Sequence, residues 1–477
     1  MSGTTHWEPA VRFEILNEAA RGAIHAAALE ILESTGCLVE SERGLELLRR
    51  AGAKAEGSRV RLGARLVEKA LATAPRNITI GDREGRPAME LGGRRVYFGT
   101  GSDCIFTRDL ETGERRKARR QDIVDFALVS EKLESISFVM SMGLPADVPG
   151  ERLDFEEFAA MVLATRKPLV FTALSVPGLD RIRRISEAAA PSPAEHAARP
   201  HLVLYAEPVS PLKHIGLSVE KLLYCAERGL PVTYSPGSMG GGTIPITCAG
   251  AVAVSVAEIL SGLVIHQLVR PGAPFIFGGA IGVLDMSTMV NAYGPPEAPQ
   301  WGTALAEMGA GYGLPTWSTA GCSDAKLFDG QAAAESALTV AWAALGGANL
   351  VHDVGYLESG LTSSLPLLVA SDELIAVVRR MAGPVRLSRE SLAIEAMSRV
   401  GPGGNFLADE HTLEHFREEH WFARLADRRN FQGWLEAGGA DYGERCRARA
   451  RELLREPHEG QAGPEVARRV QAILDEG

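Results

Sequence analysis

Seven times between Ser137 and Asp353 the chain repeats one unit: a short apolar run, a polar or glycine-rich bend, then an amphipathic or apolar helical stretch. The runs are Phe138-Val139-Met140, Leu169-Val170-Phe171, Leu202-Val203-Leu204-Tyr205, Val232-Thr233-Tyr234, Phe275-Ile276-Phe277, Thr316-Trp317-Ser318 and Asn349-Leu350-Val351-His352. Units of roughly 30 to 40 residues in this order are the signature of parallel strands covered by helices. With one weaker partner they predict an α/β chain folded as a closed (β/α)8 TIM barrel, which places the chemistry in the loops at the carboxyl ends of the strands. Pro168, Pro200, Pro231, Pro274 and Pro315 each stand just before a run. A fixed backbone angle helps there and no ladder donor is needed.

The flanks read differently. Helical spacing from Leu16 to Ala51 breaks at Gly36, and Arg65 to Ala74 makes a further helix ended by Pro75. Ile78-Thr79-Ile80, Met89-Glu90-Leu91 and Val96-Tyr97-Phe98 then alternate across glycine-rich turns, which predicts a small antiparallel sheet capping the barrel. The expected division is residues 1–120 for N-terminal helices and small sheet, 121–405 for the barrel and 406–477 for a C-terminal helical tail. The eighth strand is not evident, and the stretch after Val400 is its candidate. His411, His415 and His420 lie in the tail without the spacing of a metal site, so no metal is expected.

A formal net charge of −10 over 477 residues gives no basic face for nucleic acid. The one basic cluster, Arg115-Arg116-Lys117 with Arg119-Arg120, is expected to be a solvated helix entry. Six scattered cysteines without C-x-x-C spacing predict reduced thiols in the cytoplasm. The amino terminus shows no signal-peptide pattern. Ala249 to Val269 is apolar enough to suggest a membrane span, but Glu258 and His266 interrupt it and it occupies a helix slot of the repeat. A buried barrel helix and no membrane partner are expected.

Several motifs stand in one order along nearly the whole chain: Thr112-Gly113-Glu114-Arg115-Arg116 followed by Asp122, Glu207-Pro208-Val209-Ser210-Pro211-Leu212, Ser323-Asp324-Ala325-Lys326, Asp329-Gly330-Gln331-Ala332 and Glu410-His411-Thr412-Leu413. In these the sequence resembles the trimethylamine methyltransferase family, corrinoid-dependent enzymes with a barrel fold. Founding members carry pyrrolysine. All 477 residues here are standard, so the chain resembles the branch without it, which demethylates quaternary amines such as glycine betaine. The resemblance implies methyl transfer to the Co(I) of a corrinoid (cobalamin) held by a small partner protein that docks over the barrel mouth. A quaternary nitrogen already carries the charge that makes its methyl group transferable, so losing pyrrolysine changes the expected substrate without abolishing the reaction.

Such a displacement asks the protein for position and a dry cavity. A trimethylammonium group is held by aromatic faces with carboxylates nearby. The strand-end aromatics are Tyr97, Tyr205, Tyr234, Trp317 and Tyr356, each also readable as packing, and the acidic partners are Glu207, Asp324, Asp353 and Glu358. His352, with Glu207 and Asp324, is assigned to the catalytic machinery, where it would orient a substrate carboxylate or contact the corrinoid. The loops containing Gly240 and Gly241 and Gly278 and Gly279 would admit a flat macrocycle or cradle an anion. A flexible loop without a ligand stands as the other reading. Two alternatives remain open: a lyase or aldolase using Lys326 as a Schiff base or binding phosphate, and a non-catalytic betaine-binding barrel. Homo-oligomerisation is left open too.

Overall fold

The structure, a computed structural model, describes residues 7–476. Eight parallel strands alternate with eight helices. The strands are β1 (Tyr97–Thr100), β2 (Ile136–Phe138), β3 (Leu169–Phe171), β4 (Leu202–Ala206), β5 (Val232–Tyr234), β6 (Phe275–Gly278), β7 (Thr316–Thr319) and β8 (Leu350–Val354). They are followed in turn by α1 (Arg120–Lys132), α2 (Leu153–Ala164), α3 (Val176–Ala189), α4 (Gly216–Arg228), α5 (Cys248–Val269), α6 (Glu297–Gly311), α7 (Gly330–Gly346) and α8 (Leu365–Met381). β8 pairs with β1, β1 with β2, and a bridge from Val139 to Leu169 joins β2 to β3, so the sheet closes. The N–H of Val170 donates to the carbonyl of Val139 at 3.0 Å across that join.

All seven expected runs are barrel strands. The missing strand is not after Val400. Val96-Tyr97-Phe98 belongs to β1 rather than to a capping sheet, and the barrel therefore begins before residue 121. The other two predicted strands do pair, as Ile78–Gly81 with Pro87–Leu91. Their apolar side chains Ile78, Ile80, Met89 and Leu91 plug the amino-terminal end of the barrel.

Residues two apart share a face of a strand. The interior accordingly stacks Tyr97, Phe138, Val170, Val203, Tyr205, Ile276, Trp317 and Leu350, while Leu204, Val232, Tyr234 and Phe277 face the helices. α5 is long and apolar enough to cross a membrane, but 83 % of its most apolar stretch is buried. The N-terminal helices Glu18–Glu30, Glu42–Arg50 and Ala64–Thr73 pack on α5. The tail helices Tyr442–Arg455 and Pro464–Leu474 return to lie on α8 and α1 and on α2 and α3.

The basic cluster does lead into a helix, with Arg115, Lys117 and Arg119 exposed and Arg119 at the cap of α1, but its first part is a strand. Arg115–Lys117 is a strand paired with Phe106–Arg108. Arg115 reaches Glu358 at 2.7 Å and Arg116 grips both oxygens of Asp122 at 2.7 Å, so these two charges are matched within the fold.

Tyr97 is a structural residue. It is 1 % exposed, and its hydroxyl accepts from the N–H of Glu90 at 3.1 Å. Tyr97→Leu is expected to lower stability by roughly 2–4 kcal/mol, the range for a large-to-small change in a packed core, measurable as a shifted urea midpoint at unchanged slope.

Candidate active site

At the carboxyl ends of the strands lies a cavity of about 650 Å³. β4 turns Val203, then Tyr205, inward, and the next residue in that alternation, Glu207, opens onto the cavity. β8 brings His352 and Asp353, and the segment after it brings Tyr356. The loop after β1 supplies Ser102 and Asp103, and the end of β3 supplies Thr172. One wall is a small sheet in which Gly237–Gly240 runs parallel to Ala280–Asp285 and the latter pairs antiparallel with Val290–Ala292. Gly237, Gly282, Asn291 and Tyr293 of this region face the cavity.

Beneath the cavity the aromatics pack at tilted angles. The ring of His352 lies 4.4 Å from that of Trp317 and 5.8 Å from that of Tyr205, and Tyr205 lies 5.5 Å from Trp317. His352 shares a hydrogen bond through Nε2 with the Thr319 hydroxyl at 3.1 Å. Its Nδ1 lies 2.7 Å from Oδ1 of Asp353, without the geometry of a hydrogen bond. Tyr356 donates its hydroxyl to the carbonyl of Ser102, and its ring occupies the space a Cβ at Gly101 would take, which ties β8 to the loop after β1.

Charge in the cavity is mainly negative. Burial raises the carboxyl of Asp103 above its ordinary value, against the opposing hydroxyls of Ser102 and Thr172. Glu207 is open to the cavity's own space but walled in by protein, and that enclosure raises its pKa too, with Tyr205 opposing. Burial pushes the phenols of Tyr205, Tyr293 and Tyr356 well up, so all three remain neutral. Asp103 (φ 58°) and Asp353 (φ 73°) sit in left-handed backbone, a conformation that costs a non-glycine residue about 1–3 kcal/mol and persists where the surroundings enforce it.

The structure separates the expected site residues into two groups. Glu207, Tyr205, His352, Asp353 and Tyr356 meet at the cavity. Tyr97 lies in the opposite half of the barrel, against the plug. Trp317 is fully buried as the floor. Tyr234 faces outward, its ring against Gly262 and its hydroxyl on Nδ1 of His214 at 2.7 Å. Asp324 lies outside the cavity wall and accepts from the N–H groups of Tyr293 (2.8 Å) and Gly294 (2.7 Å) and from the Ser359 hydroxyl (2.7 Å). It is a positioning residue for Tyr293. Gly240 packs on Trp301, Gly241 on Met286 and Ile246, Gly278 on the Trp317 backbone and Gly279 on Pro236 and Leu305. None of these four faces the cavity; Gly237 and Gly282 do. Lys326 is exposed, its ammonium donating to the carbonyl of Asp324 at 2.7 Å, which removes it as a cavity nucleophile. Glu358 is held by Arg115. In the tail, His415 faces Glu390 at 3.5 Å on the protein's surface, away from the mouth.

Sequence reasoning missed Asp103, Lys221 and Tyr293. For Asp103 the signal was present: once β1 is recognised, Gly101-Ser102-Asp103 is its carboxyl-end loop. Tyr293 sits beyond a hairpin and Lys221 on a helix, where strand-end logic does not look.

The loop after Glu207 is anchored from α5. Buried Glu258 accepts the Leu212 N–H at 2.7 Å and the Ser210 hydroxyl at 3.0 Å, and burial raises its pKa to about 7. This folded value lies above the unfolded one of about 4.3. The contribution to stability is therefore complete below about pH 4 and is lost as pH rises through 7. The thermal midpoint is expected to fall as pH rises from about 4 to 7 and to level off above that, and Glu258→Gln to flatten that slope in calorimetry. Asp324→Ala is expected to speed amide hydrogen exchange across residues 280–294, because two N–H donors lose their charged acceptor.

A sequence model described as trimethylamine methyltransferase matches residues 4–476. The trimethylamine methyltransferase MttB of Desulfitobacterium hafniense is 29% identical over 457 residues, covering 95% of this chain and 92% of the relative. The glycine betaine methyltransferase of the same species is 29% identical over 468 residues, covering 97% of each. The crystal structure of the Methanosarcina barkeri monomethylamine methyltransferase superposes with a TM-score of 0.53 at 12% identity, over 93% of this chain and 88% of that one. The barrel, its cavity and the match along the whole chain agree: this protein is a methyltransferase and belongs to the trimethylamine methyltransferase family.

Proposed function

We propose that the enzyme takes a methyl group from a quaternary amine, glycine betaine or a related betaine, and delivers it to the Co(I) of a corrinoid carried by a separate small protein. The observation that carries this reading is the meeting of Tyr205, Tyr293 and Tyr356 with Asp103, Glu207 and Asp353 around one cavity. A trimethylammonium group has no N–H to donate, so hydrogen-bond acceptors alone recognise it poorly. Aromatic faces and a negative potential recognise it well. The relative named for glycine betaine supports the same class of substrate.

The residues also suit the step. Positive charge on nitrogen disappears as the methyl group leaves, so a group that binds the ammonium too firmly slows the reaction. Carboxyls whose pKa values are raised by enclosure, and neutral tyrosines, hold the cation with less ground-state stabilisation than free carboxylates would. Packing of His352 against Trp317 and pinning of Tyr293 by Asp324 keep the cage in place, which is the positioning that a displacement requires. The cavity rim fits a flat group laid on from outside: Gly237 and Gly282 present no side chain, and Leu174 and Val209 are 54% and 47% exposed beside the mouth. When docked there, the corrinoid supplies reduced cobalt as the nucleophile. The six cysteines, all free, support a reducing, cytoplasmic setting.

Anaerobic assays with a reduced corrinoid protein are expected to show methyl transfer from a betaine and none from trimethylamine. A cation over an aromatic face gains about 0.5–2 kcal/mol. Tyr293→Leu is therefore expected to raise the betaine Kd by a few-fold up to about thirty-fold with little change in Tm. Equal rates with trimethylamine, or an unchanged Kd in the variant, would overturn the assignment.

A further inference from the structure

The cavity contains a cation that recognition of an ammonium group does not explain. Lys221, on α4, is 9% exposed and its side chain lines the cavity. Among the described residues its ammonium makes no hydrogen bond and has no carboxylate oxygen within 4.0 Å. The acidic groups around it are engaged elsewhere. Asp154 accepts the N–H groups of Phe155 at 2.9 Å and Leu174 at 2.8 Å. Asp103 faces the Thr172 hydroxyl at 3.5 Å, and Glu207 lies against Tyr205.

A buried ammonium without a close anion is unfavourable unless something else supplies one. In a site for a bare cation such a lysine is a defect, because it repels the substrate. In a site for a zwitterion it is an asset, because the substrate brings its own anion. Resting on the reading of this cavity as a quaternary-amine site, we propose that Lys221 binds the carboxylate of the substrate. The enzyme then selects zwitterionic quaternary amines and discriminates against those lacking an anionic end. This assigns the anionic end to the α4 side of the cavity and leaves His352, on the far side of the barrel at β8, free of that duty. A lysine serving only as counter-ion to Asp154, Asp103 or Glu207 would stand within ion-pair distance of one of them, and among the described residues it does not.

The test is calorimetry on the full chain with glycine betaine, choline and tetramethylammonium, for the wild type and for Lys221→Met, Lys221→Gln and Lys221→Arg. Wild type is expected to bind glycine betaine most tightly. Loss of one charge-assisted contact predicts that Lys221→Met and Lys221→Gln weaken betaine binding by roughly ten- to a hundred-fold, while choline and tetramethylammonium bind as well as before or better. Lys221→Arg, which keeps the charge, is expected to stay within a few-fold of wild type. Gln conserves a polar tip and Met the apolar stem, so one folded neutral variant suffices. Equal weakening of all three ligands, or no weakening of betaine, overturns the role of Lys221. Wild type that binds choline and tetramethylammonium as tightly as betaine overturns it as well, yet keeps the quaternary-amine reading. Wild type that binds none of the three overturns both.

Discussion

Everything at the mouth depends on a closed sheet in which each strand shows one face inward. Closure requires β1, because β8 and β2 would otherwise present open edges to each other. Once the sheet is closed, alternation decides the fate of each side chain. Tyr205 shares its face with Val203 and looks into the barrel, whereas Tyr234 shares its face with Val232 and looks at the helices. The hairpin Ile78–Gly81 and Pro87–Leu91 blocks one end. What the inward faces offer is therefore accessible from the carboxyl end, where the strands hand over to loops.

The repeat was legible because parallel strands buried on both faces leave compact apolar runs, and seven of eight were read in this way. β1 was hidden by its neighbours. Val96-Tyr97-Phe98 follows two short runs that do form an antiparallel pair, and local pattern alone gives no reason to assign the third to a different sheet. Its partners, Leu350 and Ile136, lie far along the chain in one case and across a helix in the other. Of the candidate aromatics, the strand-end criterion alone was too coarse. Applied with the two-residue alternation it separates Tyr205 from Tyr234, provided that the inward face is known. Tyr293 and Lys221 were out of reach, since their positions come from a hairpin pinned by Asp324 and from the inward side of α4.

The motifs that carried the resemblance are mostly supports rather than reacting groups. Arg116 and Asp122 lock the entry to α1, Asp324 holds Tyr293 and Gly294, Asp329 caps α7 by accepting the Ala332 N–H, and Ser210 and Leu212 are tied to Glu258. A loop that carries a substrate-facing side chain has to be held by something outside the cavity, and carboxylates accepting backbone N–H groups do this with little freedom of geometry. The cavity wall itself is left to side chains of different chemistry.

The burial of α5 under the N-terminal helices has a consequence for biogenesis. Synthesised alone, a 22-residue apolar helix would seek a membrane or another exposed apolar surface. Here the three helices that cover its outer side precede it by about two hundred residues, so they have left the ribosome before it emerges. The order of the chain places the shelter ahead of the segment that needs it. The barrel itself waits for β8, whose pairing with β1 joins the latest strand made to the earliest.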